Sequence, residues 1–168
     1  MNEDKRISHL LDAIGWKIVA ELQQNARIPF AELGRRVGLS TPAVTERVRR
    51  LEDEGVIAGY HAEINPEKIG YPLLAFVRVN VVGDVLSKFV NKAVRCPEVV
   101  EVHRVTGTES FILKVAVVDH AHLEAVLDSL MPYVSTTTSM VLSSAVTWRH
   151  IEQPTVRAQA SVTAGPAR

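Results

Sequence analysis

The sequence predicts an α+β chain: an N-terminal helix-turn-helix domain of three helices, then a ferredoxin-like βαββαβ domain. Three observations predict it. Apolar residues recur at spacings of three and four in the first 60 residues. After residue 56 the period shortens to two, in runs separated by two further helical stripes. Those runs follow the order strand, helix, strand, strand, helix, strand, which is the split βαβ arrangement.

The first helix is carried by Leu11, Ile14, Ile18 and Leu22, with Asp12 placed to cap it. "NARIPF" breaks the stripe, and Pro29 can open the next helix. Phe30, Leu33 and Val37 give that second helix its buried face, and Gly38 ends it. Ser40 is expected to cap a third helix, with Pro42 in its first turn and Val44, Val48 and Leu51 inward. Gly55 closes it. "VIAGYHAEI" is expected to be a strand leading away, and "NPEKIGYP" a linker of turn formers.

In the second half, "LLAFVRVNVV" reads as a strand. Leu86, Phe89, Val90, Ala93 and Val94 form a helical stripe. "EVVEVHRV" and "SFILKVAVV" are strands joined by a "TGTE" turn. Asp119 can cap a helix with Leu123, Val126, Leu127 and Leu130 inward, and "VSTTTSMVLSSAVTW" is the last strand. The expected domains are 1–56 (helix-turn-helix), 57–72 (linker strand and hinge), 73–150 (sheet domain) and 151–168 (a disordered tail without periodicity).

Both sheet faces are informative. Leu73, Ala75, Val77, Val79 and Val81 point toward the helices. The opposite face carries Leu74 and Phe76 beside Arg78 and Asn80, with Ile112, Ala116 and Val118 beside Lys114. A water-facing sheet surface should be cleaner in its polarity. So much aliphatic area predicts a partner, and sheet-on-sheet homodimerisation is the expectation. Cover by the linker strand or the tail is the plainer alternative, though the tail is polar and irregular.

Composition narrows the class. Apolar residues make up 46% and charged residues 23% of 168, the balance of a soluble globular protein. Formal net charge is zero, so any attraction to nucleic acid must be local. One cysteine, Cys96, precludes an intrachain disulfide. The first residues resemble no signal peptide, and no stretch suits a membrane span, so a cytoplasmic location without membrane contact is expected. No metal or cofactor motif is present: HExxH, P-loop, GxGxxG and nucleophile elbow are all missing. Asp119, His120 and His122 read as a helix start, since the histidines do not share a helical face.

Charge concentrates in one place. Residues 27 to 50 hold six arginines (Arg27, Arg35, Arg36, Arg47, Arg49, Arg50) against Glu32 and Glu46, a net of four positive charges. With Val44, Val48 and Leu51 inward, Pro42, Glu46, Arg49 and Arg50 point away, and Thr45 and Arg47 flank them. The arginine fork matches phosphate and the guanine edge. The second helix of a helix-turn-helix enters the major groove of double-stranded DNA. The expected DNA-contacting set is therefore Arg49 and Arg50 in the groove, Arg47, Arg36, Ser40 and Thr41 on the backbone, and Pro42, Thr45 and Glu46 on the same face. A solvated charge run, with Glu46 pairing Arg49 or Arg50, is the plainer alternative.

These stretches resemble a known family. "LDAIGWKIVAELQQNARIPFAELGRRVGLSTPAVTERVRRLEDEGVIAGYHAEINPEKIG" is similar to the N-terminal half of the leucine-responsive/asparagine-responsive (Lrp/AsnC, feast/famine) regulators. "PEVVEVHRVTGTESFILKV" and "VSTTTSMVL" are similar to their sensing domain. The resemblance runs from about Leu11 to about Trp148. It implies a winged or plain helix-turn-helix DNA-binding regulator, not an enzyme, with an AsnC-type (RAM) βαββαβ domain. It also implies homodimers, often built into octamers, and a small-molecule effector such as an amino acid. The effector positions it implies are Gly107, Thr108, Glu109 and Ser110, with Thr137 and Ser139.

Two positions depart from the family pattern. Gly15 stands where the family usually has an acid, and it costs the helix ~1 kcal/mol relative to alanine. Ser110 stands where the family's hairpin has an aspartate, and serine cannot pair an ammonium group as a carboxylate does. Glu109, next to it, is expected to point to the opposite face. A rival reading also comes from resemblance: tetrapyrrole decarboxylases share this two-domain layout. The positive excess of residues 27 to 50 argues against it.

Overall fold

A computed structural model describes residues 3–81, 85–130 and 134–154. The chain divides into two compact units. One holds the chain up to Ala62 and takes it up again from Val146; the other runs Glu63–Ala145.

The first unit contains α1 (Glu3–Leu10), α2 (Ala13–Gln24), α3 (Phe30–Val37) and α4 (Thr41–Asp53). Asp12 caps α2 as expected, its Oδ1 accepting from the N–H groups of Ile14 and Gly15 at 3.0 and 2.8 Å. The core is Ile18, Leu22, Ile28, Leu33, Val37, Val44, Val48 and Leu51. Each such burial is worth ~1.5–3 kcal/mol. Gly38, at φ 75°, ends α3 in the left-handed region. Gly34 is required for a different reason. A β-carbon there would lie 2.7 Å from the Leu39 carbonyl oxygen, so the tight turn into α4 has no room for one.

The second unit contains a short 3₁₀ turn (Glu67–Ile69), β1 (Leu73–Asn80), α5 (Leu86–Val94), β2 (Val99–Arg104), β3 (Phe111–Val117), α6 (His120–Leu130) and β4 (Ser135–Met140). The sheet is antiparallel in the order β2-β3-β1-β4. Ala75, Val77 and Val79 of β1 and Phe111, Leu113, Val115 and Val117 of β3 pack against Phe89, Ala93, Leu123, Val126 and Leu130 of the helices. The Phe89 and Phe111 rings meet at 5.2 Å. Asp119 Oδ1 accepts from the His122 N–H at 2.7 Å, capping α6.

Several expectations are corrected. A fourth helix, α1, precedes the three expected; its sequence is polar and lacks a long apolar stripe. Pro29 precedes α3 as its cap residue rather than lying inside it. Phe30 is 40% exposed and Val94 72%, so neither belongs to the buried face. Ser40 holds the cap position of α4, but its hydroxyl makes no capping bond. Residues 56 to 64 form no strand. A strand needs a ladder partner, and this segment has no place in the sheet order. The last strand stops at Met140 because its partner runs out: the Val141 N–H still reaches the Leu74 carbonyl, but β1 is preceded by Pro72. Val82 of the expected first strand and residues 155–168 of the expected tail lie outside the described residues.

Candidate nucleic-acid interface

The inward stripe of α4 fixes what its other side presents. Val44, Val48 and Leu51 are buried, so Thr41, Pro42, Thr45, Glu46, Arg49 and Arg50 are exposed. Ser40 is exposed just before them with an extended backbone. The first-turn N–H groups have no partner within the helix and point along the favourable end of its dipole. The Thr45 hydroxyl is turned back onto the helix, donating to the Thr41 carbonyl at 2.8 Å.

The arginines fall into two groups. Among the described residues, Arg49 and Arg50 pair only along their own helix. Arg49 Nε stands 3.7 Å from Asp53, with both side chains mostly exposed. Arg50 Nε donates to Glu46 at 2.9 Å. Such exposed i,i+4 pairs are worth a few tenths of a kcal/mol and exchange readily for a stronger anion.

Arg47 and Arg36 instead reach other helices. Arg47 donates from both terminal nitrogens to the two carboxylate oxygens of Asp12, at 2.8 and 2.9 Å. Arg36 donates to Glu32 at 2.7 Å and to Glu21 on α2 at 2.8 Å. Arg35 shares Glu32. The Arg47 guanidinium, and then the Gly15 N–H, hold the Asp12 carboxyl down at about 2. Arg35 and Arg36 hold Glu32 at about 2. Sequence alone does not reveal the Arg47–Asp12 and Arg36–Glu21 pairs, because the partners lie 35 and 15 residues apart.

The loop between β2 and β3 holds the expected turn and Ser110, the residue that departs from the family pattern. Gly107 has φ 120°, a conformation side chains resist. Ser110 is tied to β1: its N–H donates to the Val79 carbonyl at 2.8 Å, and its Oγ accepts from the Val81 N–H at 3.2 Å. Glu109 is partly exposed and accepts from the Thr108 hydroxyl at 2.7 Å. That bond, first, and the Arg78 charge, last, hold its carboxyl below the usual range. Arg78 stands opposite Thr137 in the β1–β4 register, and its guanidinium donates to Ser139 Oγ at 3.4 Å. Thr137 and Ser139 are exposed on the face away from the helices.

Residues 11–52 match the AsnC-type helix-turn-helix domain, and residues 74–150 match the Lrp/AsnC ligand binding domain. The leucine-responsive regulatory protein of Haemophilus influenzae is 39% identical over 150 residues, covering 85% of this chain and 90% of that protein. The chain belongs to the Lrp/AsnC family. It is an Lrp/AsnC-type helix-turn-helix transcriptional regulator with a ligand-binding domain. The uncharacterised HTH-type regulator YezC of Bacillus subtilis is 40% identical over 134 residues, 80% of this chain and 95% of that one. Among solved structures, the feast or famine regulatory protein Rv3291c of M. tuberculosis, complexed with L-methionine, superposes with a TM-score of 0.80. It is 35% identical and covers 85% of this chain and 99% of its own. These relatives are regulators rather than enzymes, and nothing in them supports the decarboxylase reading. No helix among the described residues is long and apolar enough to cross a membrane.

Proposed function

We propose that this Lrp/AsnC regulator reads double-stranded DNA with the exposed side of α4. Arg49 and Arg50 enter the major groove, with Pro42, Thr45 and Glu46 on the same face. Ser40 and Thr41 seat a phosphate at the helix N-terminus. The observation that carries this is the exposure of two arginines that, among the described residues, are bound only by labile pairs along their own helix. Arg49→Ala tests it. Loss of a base contact costs ~1–3 kcal/mol on the specific duplex and relaxes specificity. Equal loss on specific and random DNA overturns the assignment.

The reading extends to assembly and effector. The outer sheet face, with Phe76 of β1 at 43% exposure beside Thr137 and Ser139 of β4, supports a homodimer formed sheet to sheet, and dimers can build an octamer. Sedimentation velocity decides: a monomer at working concentration ends this part. The effector is an amino-acid-like molecule held near Gly107, Thr108, Glu109, Ser110, Thr137 and Ser139. Glu109 supplies the carboxylate for an ammonium group, because the hydroxyl of Ser110 is engaged with β1. The L-methionine complex of the M. tuberculosis relative supports an effector of this class. Calorimetric titration with L-methionine should show binding that Glu109→Gln removes.

A further inference from the structure

We propose that Arg47 is a positioning residue: its bidentate pair with Asp12 sets the rotation of α4 about its own axis, and so which side chains face the groove. This rests on the reading of α4 as the groove-entering helix. Arg47 belongs by type and place to the positive cluster, and a phosphate contact is the role its position first suggests. Its geometry points elsewhere.

Asp12 has two tasks at once. Its Oδ1 accepts from the Ile14 and Gly15 N–H groups, which fixes the carboxylate rigidly at the start of α2. The same carboxylate then receives both terminal nitrogens of Arg47 at 2.8 and 2.9 Å. A fork-to-fork pair fixes direction as well as distance. Arg47 sits next to buried Val48 and two residues from Arg49, on the flank of α4. Holding that flank fixes how far the helix can roll over its apolar stripe.

The pair is a poor phosphate site for the same reason. Its net charge is zero. A phosphate approaching Arg47 either meets the Asp12 carboxylate beside it or must detach the guanidinium and leave that carboxylate facing DNA. Arg49 and Arg50 are not so restricted, since their partners Asp53 and Glu46 lie on α4 itself. A parallel link exists at the other end of α2, where Glu21 accepts from Arg36 of α3. One acid near each end of α2 thus holds one helix of the helix-turn-helix pair.

The experiment compares Asp12→Asn, Arg47→Met and Arg49→Ala, in the full chain, by fluorescence anisotropy. The probes are a duplex selected from a random pool for wild-type binding and a scrambled duplex of equal length, across a KCl series. Positioning predicts that Asp12→Asn and Arg47→Met each lose on the order of tenfold affinity for the selected duplex, and that the double variant loses no more. It predicts an unchanged salt slope for Arg47→Met and an unchanged affinity for the scrambled duplex. Asp12→Asn is the sharper test, because it removes a negative charge. If charge alone mattered, the freed Arg47 would bind both duplexes more tightly, and that result overturns the proposal. So does a fall of about 0.9 in the salt slope of Arg47→Met with equal loss on both duplexes, the mark of a phosphate contact. Asparagine keeps an oxygen to cap α2, so Asp12→Asn decides alone if Arg47→Met does not fold by circular dichroism. Loss of discrimination in Arg49→Ala with a slope change in Arg47→Met would leave the groove reading standing and remove only this proposal. No effect of Arg49→Ala would remove the groove reading, and this proposal with it.

Discussion

The carbonyl oxygen of Leu10 lies 1.8 Å from where a β-carbon on Gly15 would stand. The end of α1 therefore rests directly on the backbone of α2. This changes the meaning of Gly15. Helix propensity alone says that alanine would gain ~1 kcal/mol there. The contact says that the end of α1 must move to admit it. Gly15→Ala should therefore destabilise the full chain by ~1–3 kcal/mol, as overpacking does. Removing residues 1–10 should reverse the sign, leaving only the propensity gain. Urea unfolding of the four proteins gives the answer; a stabilising Gly15→Ala in the full chain would mean that α1 does not dock this way.

Acid should weaken the first unit in a defined window. Asp12 and Glu32 both have depressed carboxyls in the folded chain, at about 2 against ordinary values of 3.8 and 4.5. The unfolded chain therefore binds more protons than the folded one between these limits. Their contribution is complete above about pH 4.5 and is lost as pH falls toward about 2. The urea midpoint should be flat with respect to these groups above that window and decline through it. Asp12→Asn should flatten the part below pH 3.8. Both side chains are partly exposed, so the effect is modest and shrinks with added salt.

How much of this was legible depends on the kind of relation. The stripe of α4 was legible because burial follows the helical period, and Val44, Val48 and Leu51 are buried as that period requires; those of α2 and α3 were legible at Ile18, Leu22, Leu33 and Val37 but not at Leu11 or Phe30. The alternation of β1 was legible for the same reason, and so was that of β3 as far as Val115; Ala116, expected on the outer face, is buried. Gly15 was not, because a close approach between two backbones leaves no mark on periodicity. The positive excess of residues 27 to 50 could be counted. How Arg36 and Arg47 are engaged could not, since Glu21 and Asp12 are brought to them only by folding. Residues 56 to 64 have strand composition but no ladder, and pairing belongs to topology rather than to a local run. For Ser110 the sequence shows what a hydroxyl cannot do for an ammonium group. Its bonds to Val79 and Val81 show what it does for the sheet.

The chain returns to its first unit from Val146, and Gln23 of α2 is one side chain that holds it there. Gln23 Nε2 donates to the Ile151 carbonyl at 3.0 Å, and the Ile151 N–H donates to Gln23 Oε1 at 2.8 Å. The amide of Gln23 thus mimics a strand partner for one residue. Gln23→Ala should free residues around Ile151 while leaving α2 intact. Water can replace both bonds at this exposed site, so global stability should change by less than ~1 kcal/mol. Hydrogen exchange should rise at Ile151 and not at Ile18 or Leu22. Gln23→Glu, which can accept but not donate, should give an intermediate rate.

Cys96 should be a slow nucleophile, and the reasons are burial and one neighbour, Glu98. Its Sγ donates to Glu98 Oε2 at 3.1 Å, and Glu98 Oε1 engages His122 Nε2 at 3.1 Å. Burial first, and then the Glu98 carboxylate, push the thiol above its ordinary range. The reactive species is the thiolate, so a raised value means slow alkylation near neutral pH. Glu98→Gln keeps the size of the side chain and removes its charge. It should speed iodoacetamide labelling of the native protein several-fold, read by mass spectrometry at about pH 8. Burial remains in that variant, so the rate should stay below that of the urea-unfolded chain. An unchanged rate would assign the whole effect to burial and none to the carboxylate.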